Sequence, residues 1–70
     1  MKTYYFTFGQ THVHHVDGFT YDKDIVVVIN SESEIEARKI MFDHFGEKWG
    51  FCYIRKPNMD FFPRGFKQLA

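Results

Sequence analysis

Residues 25–29 read Ile25-Val26-Val27-Val28-Ile29, five β-branched apolar side chains in succession. β-Branched residues favour extended backbone, and with no polar residue at either parity such a strand has no face to offer water. Both of its sides must be covered, so the rest of the chain is read for what covers them.

On the N-terminal side, Lys2 to Phe8 alternates with the period of a half-buried strand, Tyr4, Phe6 and Phe8 on one face and Thr3, Tyr5 and Thr7 on the other. Gly9 permits a bend or bulge, and Gln10 to Val16 continues extended. Asp17-Gly18 then signals a two-residue hairpin loop, because a type I′ turn needs positive φ at both central positions. The return strand is expected over Phe19 to Asn30. With Asp17 and Gly18 as the loop, Val16 faces Phe19, His14 faces Tyr21, His12 faces Lys23, Phe8 faces Val27 and Phe6 faces Ile29. A bulge at Gly9 would shift the lower pairs by one residue and bring in Val26 and Val28 instead.

On the C-terminal side, Ser31-Glu32-Ser33-Glu34-Ile35-Glu36 contains two overlapping capping boxes, Ser31 with Glu34 and Ser33 with Glu36. Ala37, Ile40, Met41, His44 and Phe45 recur at helical spacing as the apolar stripe, and Gly46 suits the C′ position, with Glu47 to Trp49 as an optional further turn. A third strand is expected over Phe51 to Arg55, ended by Pro57-Asn58. The tail from Asn58 to Phe66 is too aromatic for a loose end and is expected to pack across the domain, with a short edge strand over Gly65 to Leu69 left open. The economical architecture is α+β: one domain over residues 1–70, an antiparallel sheet in ββαβ order with one helix on one face.

Composition bounds the function. Seventy residues bury only about 60% of the surface an unfolded chain exposes, and the 20% aromatic content, nine Phe included, answers that need. Nine basic and nine acidic residues cancel, so no net field points to nucleic acid or to an anionic membrane. The single cysteine, Cys52, excludes an internal disulfide and makes the reduced cytoplasm the expected compartment. There is no signal-peptide pattern at the N-terminus and no apolar run long enough to span a bilayer.

Chemistry-bearing candidates are few. His12 and His14 share a strand face where two imidazoles could hold a metal, but two ligands are too few, and a third would have to come from His44, Asp22, Asp24 or Cys52. His15 and Asp22 lie diagonally on the other face of the hairpin, an arrangement that can orient an imidazole as a base; no nucleophile or oxyanion donor accompanies them. Cys52 between two aromatics reads as a small buried hydrophobe, and the scattered glycines form no phosphate loop. No cofactor is implied, and the expected class is non-enzymatic. Tyr53-Ile54-Arg55-Lys56 and Phe61-Phe62-Pro63-Arg64 could form a stacking surface for single-stranded nucleic acid, with Lys67 nearby. The order of elements is not that of an RNA-recognition domain, and the aromatic-basic motif of that fold is missing.

The favoured reading is a surface for a protein partner, with His12, His14, His15, Tyr21, Arg55 and Arg64 as candidate binding residues. A second copy of the chain is one way to cover Tyr5, Val26 and Val28 on the side away from the helix, so a homodimer is also expected.

The whole pattern resembles a group of small proteins common in bacteriophage and prophage genomes, a group without an established activity. The resemblance rests on Tyr5-Phe6-Thr7-Phe8-Gly9-Gln10 followed by His12 and His14, and on Asp22-Lys23-Asp24 before the apolar strand. It continues with Ala37-Arg38, Phe45-Gly46-Glu47-Lys48-Trp49, and Asn58-Met59-Asp60-Phe61-Phe62-Pro63-Arg64-Gly65. It implies a cytoplasmic accessory protein of a phage or mobile element that binds a host or defence protein.

Overall fold

The computed structural model describes residues 1–70 and builds the valine-rich run into the middle of a sheet. Along the chain come β1 (Lys2–Thr7), β2 (His14–Val16), β3 (Phe19–Tyr21), β4 (Val26–Ser31), α1 (Glu34–Phe45), β5 (Phe51–Tyr53), a 3-10 turn (Met59–Phe61) and β6 (Phe66–Gln68). Four strands form the main sheet in the order β5-β1-β4-β6, while β2 and β3 form a separate two-stranded arm.

The hairpin forms at its tip as its turn chemistry dictates. Asp17 has φ 52° and Gly18 φ 79°, and the pairs are Val16 with Phe19, His15 with Thr20 and His14 with Tyr21. Below the tip the ladder breaks and resumes with Phe6 opposite Val27 and Tyr4 opposite Ile29. Relative to the continuous hairpin expected from sequence, this is a slip of two residues. The cause is local: six residues separate β1 from β2, whereas four separate β3 from β4. One of the two interruptions is a side-chain turn, in which Asp22 accepts from the Asp24 N–H at 3.0 Å. Because the slip is even, the faces survive; a slip of one would have turned Tyr4 and Phe6 out of the core.

Of the two capping registers offered by the sequence, Ser33 with Glu36 is used: the Ser33 hydroxyl accepts from the Glu36 N–H at 3.2 Å. Ser31 instead belongs to β4 and its hydroxyl donates to the Ser33 carbonyl at 2.6 Å. The helix ends at Gly46, φ 63°, whose N–H returns to the Phe42 carbonyl, so the optional further turn does not form. Ala37, Met41 and Phe45 face Tyr4, Phe6, Phe8, Tyr21, Ile25, Val27 and Ile29 in one core. His44, expected on that stripe, is exposed, its Nδ1 beside the Ile40 carbonyl at 2.9 Å.

Gly50 joins the helix to β5 where only a glycine fits without displacement. A Cβ there would lie 3.1 Å from the Gly9 nitrogen and 3.2 Å from the Thr7 oxygen, and the Gly50 N–H donates to that same oxygen at 2.7 Å.

The expected all-antiparallel sheet is in fact mixed, since β6 runs parallel to β4, with Val26 opposite Phe66 and Val28 opposite Gln68. The tail reaches the far edge of β4 only after passing over the sheet, and it arrives in the direction of β4. There it satisfies backbone groups that would otherwise face solvent: Val26 N–H donates to Gly65 O, Leu69 N–H to Val28 O and Asn30 N–H to Ala70 O. The side of β4 away from the helix, expected to need a second copy, is thus covered from within the chain. Val26 is 0% exposed and Val28 9%, and the Phe66 ring meets Tyr5 edge-on at 6.0 Å. No helix is long and apolar enough to cross a membrane.

Candidate functional site

The histidine arm is drawn into structure and away from chemistry. Phe8, Tyr21 and Phe45 pack with ring centroids 4.9–5.8 Å apart. His14 closes that cluster, 5.0 Å from Phe45 and 5.8 Å from Phe8, with Nε2 hydrogen-bonded to the Lys48 carbonyl. His14 therefore ties the arm to the end of α1. Tyr21, expected at the surface, is 5% exposed; burial and the Asp17 carboxylate both push its phenol above the ordinary value.

The His15–Asp22 pairing expected from the hairpin does not form. His15 Nδ1 lies 3.0 Å from the hydroxyl of its cross-strand neighbour Thr20, and Asp22 accepts from Arg64 at 3.0 Å as well as from the Asp24 N–H. Pairing stops at His14–Tyr21, so His12 does not meet Lys23, which donates to Asp24. No three side chains among His, Cys, Asp and Glu converge at coordination distance, and neither His12 nor His14 acquires a third ligand from His44, Asp22, Asp24 or Cys52.

Arg64, a candidate binding residue, is a brace. Its guanidinium pairs with Asp22 at 3.0 Å and lies 5.4 Å over the Phe19 ring, while its N–H donates to the Asp24 carbonyl. Lys67 sits 5.0 Å over the same ring. Together they fasten the tail to the hairpin.

Cys52 is half-buried on the helix side of β5, opposite Phe6. Burial pushes its thiol above the ordinary range, the Glu34 carboxylate adds to that, and Arg38 works against it. A thiol held protonated is a packing group.

What stays open is the face where β5 meets the tail. Alternation in β5 puts Cys52 inward and Phe51 and Tyr53 on the opposite side, their rings 6.2 Å apart and inclined at 40°. Phe51 is 62% exposed, Tyr53 44% and Phe61 74%. The 3-10 turn is set by Asn58, whose side chain accepts from the Asp60 N–H at 2.9 Å. It holds Phe61 and Phe62 between two clefts. One, of about 400 Å³, is lined by Tyr53, Arg55, Lys56, Asn58 and the two phenylalanines. The other, of about 270 Å³, is bounded by Thr7, Gln10, Lys23, Phe51 and the same pair. No carboxylate lines either cleft.

Of the residues read from sequence as candidates for a protein partner, only Arg55 belongs to this face, but Tyr53, Lys56, Phe61 and Phe62, read there as a stacking surface, join it at one cleft. Phe51 completes it. The period-two pattern of Phe51 and Tyr53 and the density of aromatics in the tail were the available signals. Comparison with protein-family models, with curated proteins and with solved structures found no match for the chain.

Proposed function

We propose that this chain is a non-enzymatic interaction module that binds a protein partner through the rings of Phe51, Tyr53 and Phe61. The observation that carries the reading is the contrast in burial on one side of the sheet. Val26 and Thr7 are 0% and 5% exposed, whereas Phe51 and Phe61 remain mostly in water and Tyr53 is nearly half exposed. Folding draws little from those rings, and clustered exposed aromatics with an adjacent arginine have the composition interfaces favour. The resemblance to small phage and prophage proteins supplies a setting, a cytoplasmic accessory protein that engages a host or defence protein. The one free cysteine suits that compartment.

The test compares capture from a bacterial lysate by the wild-type chain and by the double variant Phe51→Ser/Phe61→Ser. The expected result is a retained protein that the variant loses while its thermal midpoint stays within a few degrees of wild type. Equal retention by both chains would reject the face as the binding site.

A second reading, binding of single-stranded nucleic acid, is favoured by one feature: Tyr53, Arg55 and Lys56 share a cleft with Phe61 and Phe62. It predicts an affinity that falls steeply with salt. Two of the four cations that reading needs lie away from the cleft, Arg64 paired with Asp22 and Lys67 over Phe19.

A further inference from the structure

Zero net charge conceals a segregation of charge. Residues 51–70 hold Arg55, Lys56, Arg64 and Lys67 against the single carboxylate of Asp60, whereas residues 31–47 hold five carboxylates against Arg38 and Lys39. Within the basic part the cations differ in availability. Arg64 is neutralised by Asp22, as Lys23 is by Asp24 and Arg38 by Glu34. Arg55, Lys56 and Lys67 make no ion pair, and of these Arg55 and Lys56 line the larger aromatic cleft while Lys67 lies over Phe19. The Lys56 ammonium is held 5.2 Å from the Phe66 ring centroid, which fixes a positive charge at the cleft without cancelling it.

Resting on the protein-binding reading of this face, we propose that the partner presents an acidic segment with one large apolar side chain. That side chain enters the cleft between Tyr53, Phe61 and Phe62, and its flanking carboxylates meet Arg55 and Lys56. Charge complementarity selects this occupant over a second copy, because a two-fold contact through this face would set the same two cations against their own images. Geometry selects it over a nucleic-acid strand. Only Arg55 and Lys56 line the cleft, enough for two phosphates at most, and its lining encloses a concave space of about 400 Å³ that takes a side chain, not a flat table for successive bases.

The experiment uses fluorescence anisotropy with the full chain and four probes. These are a labelled peptide with a central Trp flanked by Asp and Glu, the same peptide with Ser for Trp, the same with Lys for the acids, and a ten-nucleotide oligo-dT. The acidic Trp peptide is expected to bind, to weaken about tenfold in the Arg55→Glu/Lys56→Glu variant, and to lose affinity when its Trp or its acids are replaced. Amide shifts in an NMR titration should centre on Tyr53, Arg55 and Phe61. Tighter binding of oligo-dT, equal binding of the acidic and basic peptides, or no binding of the acidic Trp peptide would overturn the inference. So would a concentration-dependent dimer, seen by light scattering, that Phe61→Ser dissolves. Lysate capture separates the two levels of the argument. Loss in Phe51→Ser/Phe61→Ser with full retention in Arg55→Glu/Lys56→Glu rejects the acidic partner and keeps the protein-binding face; retention in both rejects the face itself.

Discussion

On the helix side of β4, Val27 and Ile29 lie under Ala37, Met41 and Phe45, and Phe6, Phe8 and Tyr21 are no more than 5% exposed. On the other side Val26 is buried as fully, but under a tail that leaves Phe61 in water and Phe62 and Phe66 only half-buried. The difference follows from backbone accounting. A helix satisfies its N–H and C=O groups internally and can devote a whole stripe of side chains to the sheet. An extended tail has to find partners for its backbone in turns and edges, so its direction is set by hydrogen bonds at Asn58, Asp24 and the rim of β4. Its side chains go where that path leaves them. One face is sealed, and the other leaves aromatic surface open.

The largest effect that would sharpen this contrast is truncation on the sealed side. Phe6 is 0% exposed and its ring meets Trp49 edge-on at 5.2 Å. Phe6→Ala should cost about 3–5 kcal/mol, a large part of the roughly 5–15 kcal/mol that holds a small domain together. Urea unfolding followed by circular dichroism is expected to show a chain mostly unfolded at room temperature, or one with a sharply lowered midpoint. On the tail side, Phe66 is half-buried between Tyr5 and Lys56, and Phe66→Ala should cost about half as much, near 2 kcal/mol. Equal losses at the two positions would remove the distinction between a sealed face and a strapped one.

Much of the sealed side was legible in the sequence because period and turn chemistry agreed. Asp17-Gly18 set the tip register, and the alternation of Tyr4 and Phe6 set which residues face Val27 and Ile29, a parity that an even slip left intact. The slip itself was carried by Asp22-Lys23-Asp24, a polar triplet inside what reads as one long strand, whose side-chain turn interrupts the ladder. On the strapped side the aromatic tail was legible as a packing segment, and a short strand over Gly65 to Leu69 was left open, but the strand's partner and direction were not legible. Nothing in Phe66-Lys67-Gln68 signals a parallel partner 40 residues upstream, and long-range pairing of a three-residue strand leaves no local pattern. For the same reason the histidines misled. Their spacing was visible, but not the aromatic cluster that claims His14 or the arginine that claims Asp22.

The smallest expected effect concerns titration, and it also separates the faces. Tyr21 and Cys52 both lie on the helix side, and burial raises both above their ordinary values of 10.0 and 9.0. Below the ordinary thiol value both groups are neutral in the folded and unfolded chains and contribute no pH dependence. As pH rises past 9.0 the unfolded chain releases the Cys52 proton more readily than the folded one. The folded state then binds more protons than the unfolded state, so stability falls with pH, and Tyr21 extends the fall beyond 10.0. Urea midpoints between about pH 8 and pH 10.5 should therefore decline in the wild type, and less steeply in Cys52→Ala and Tyr21→Phe. Phe61→Ser, which alters only the open face, should follow the wild-type slope; a Phe61→Ser slope as shallow as that of Cys52→Ala would mean that the tail also controls the dielectric around the core, and that the two sides of β4 are not independent.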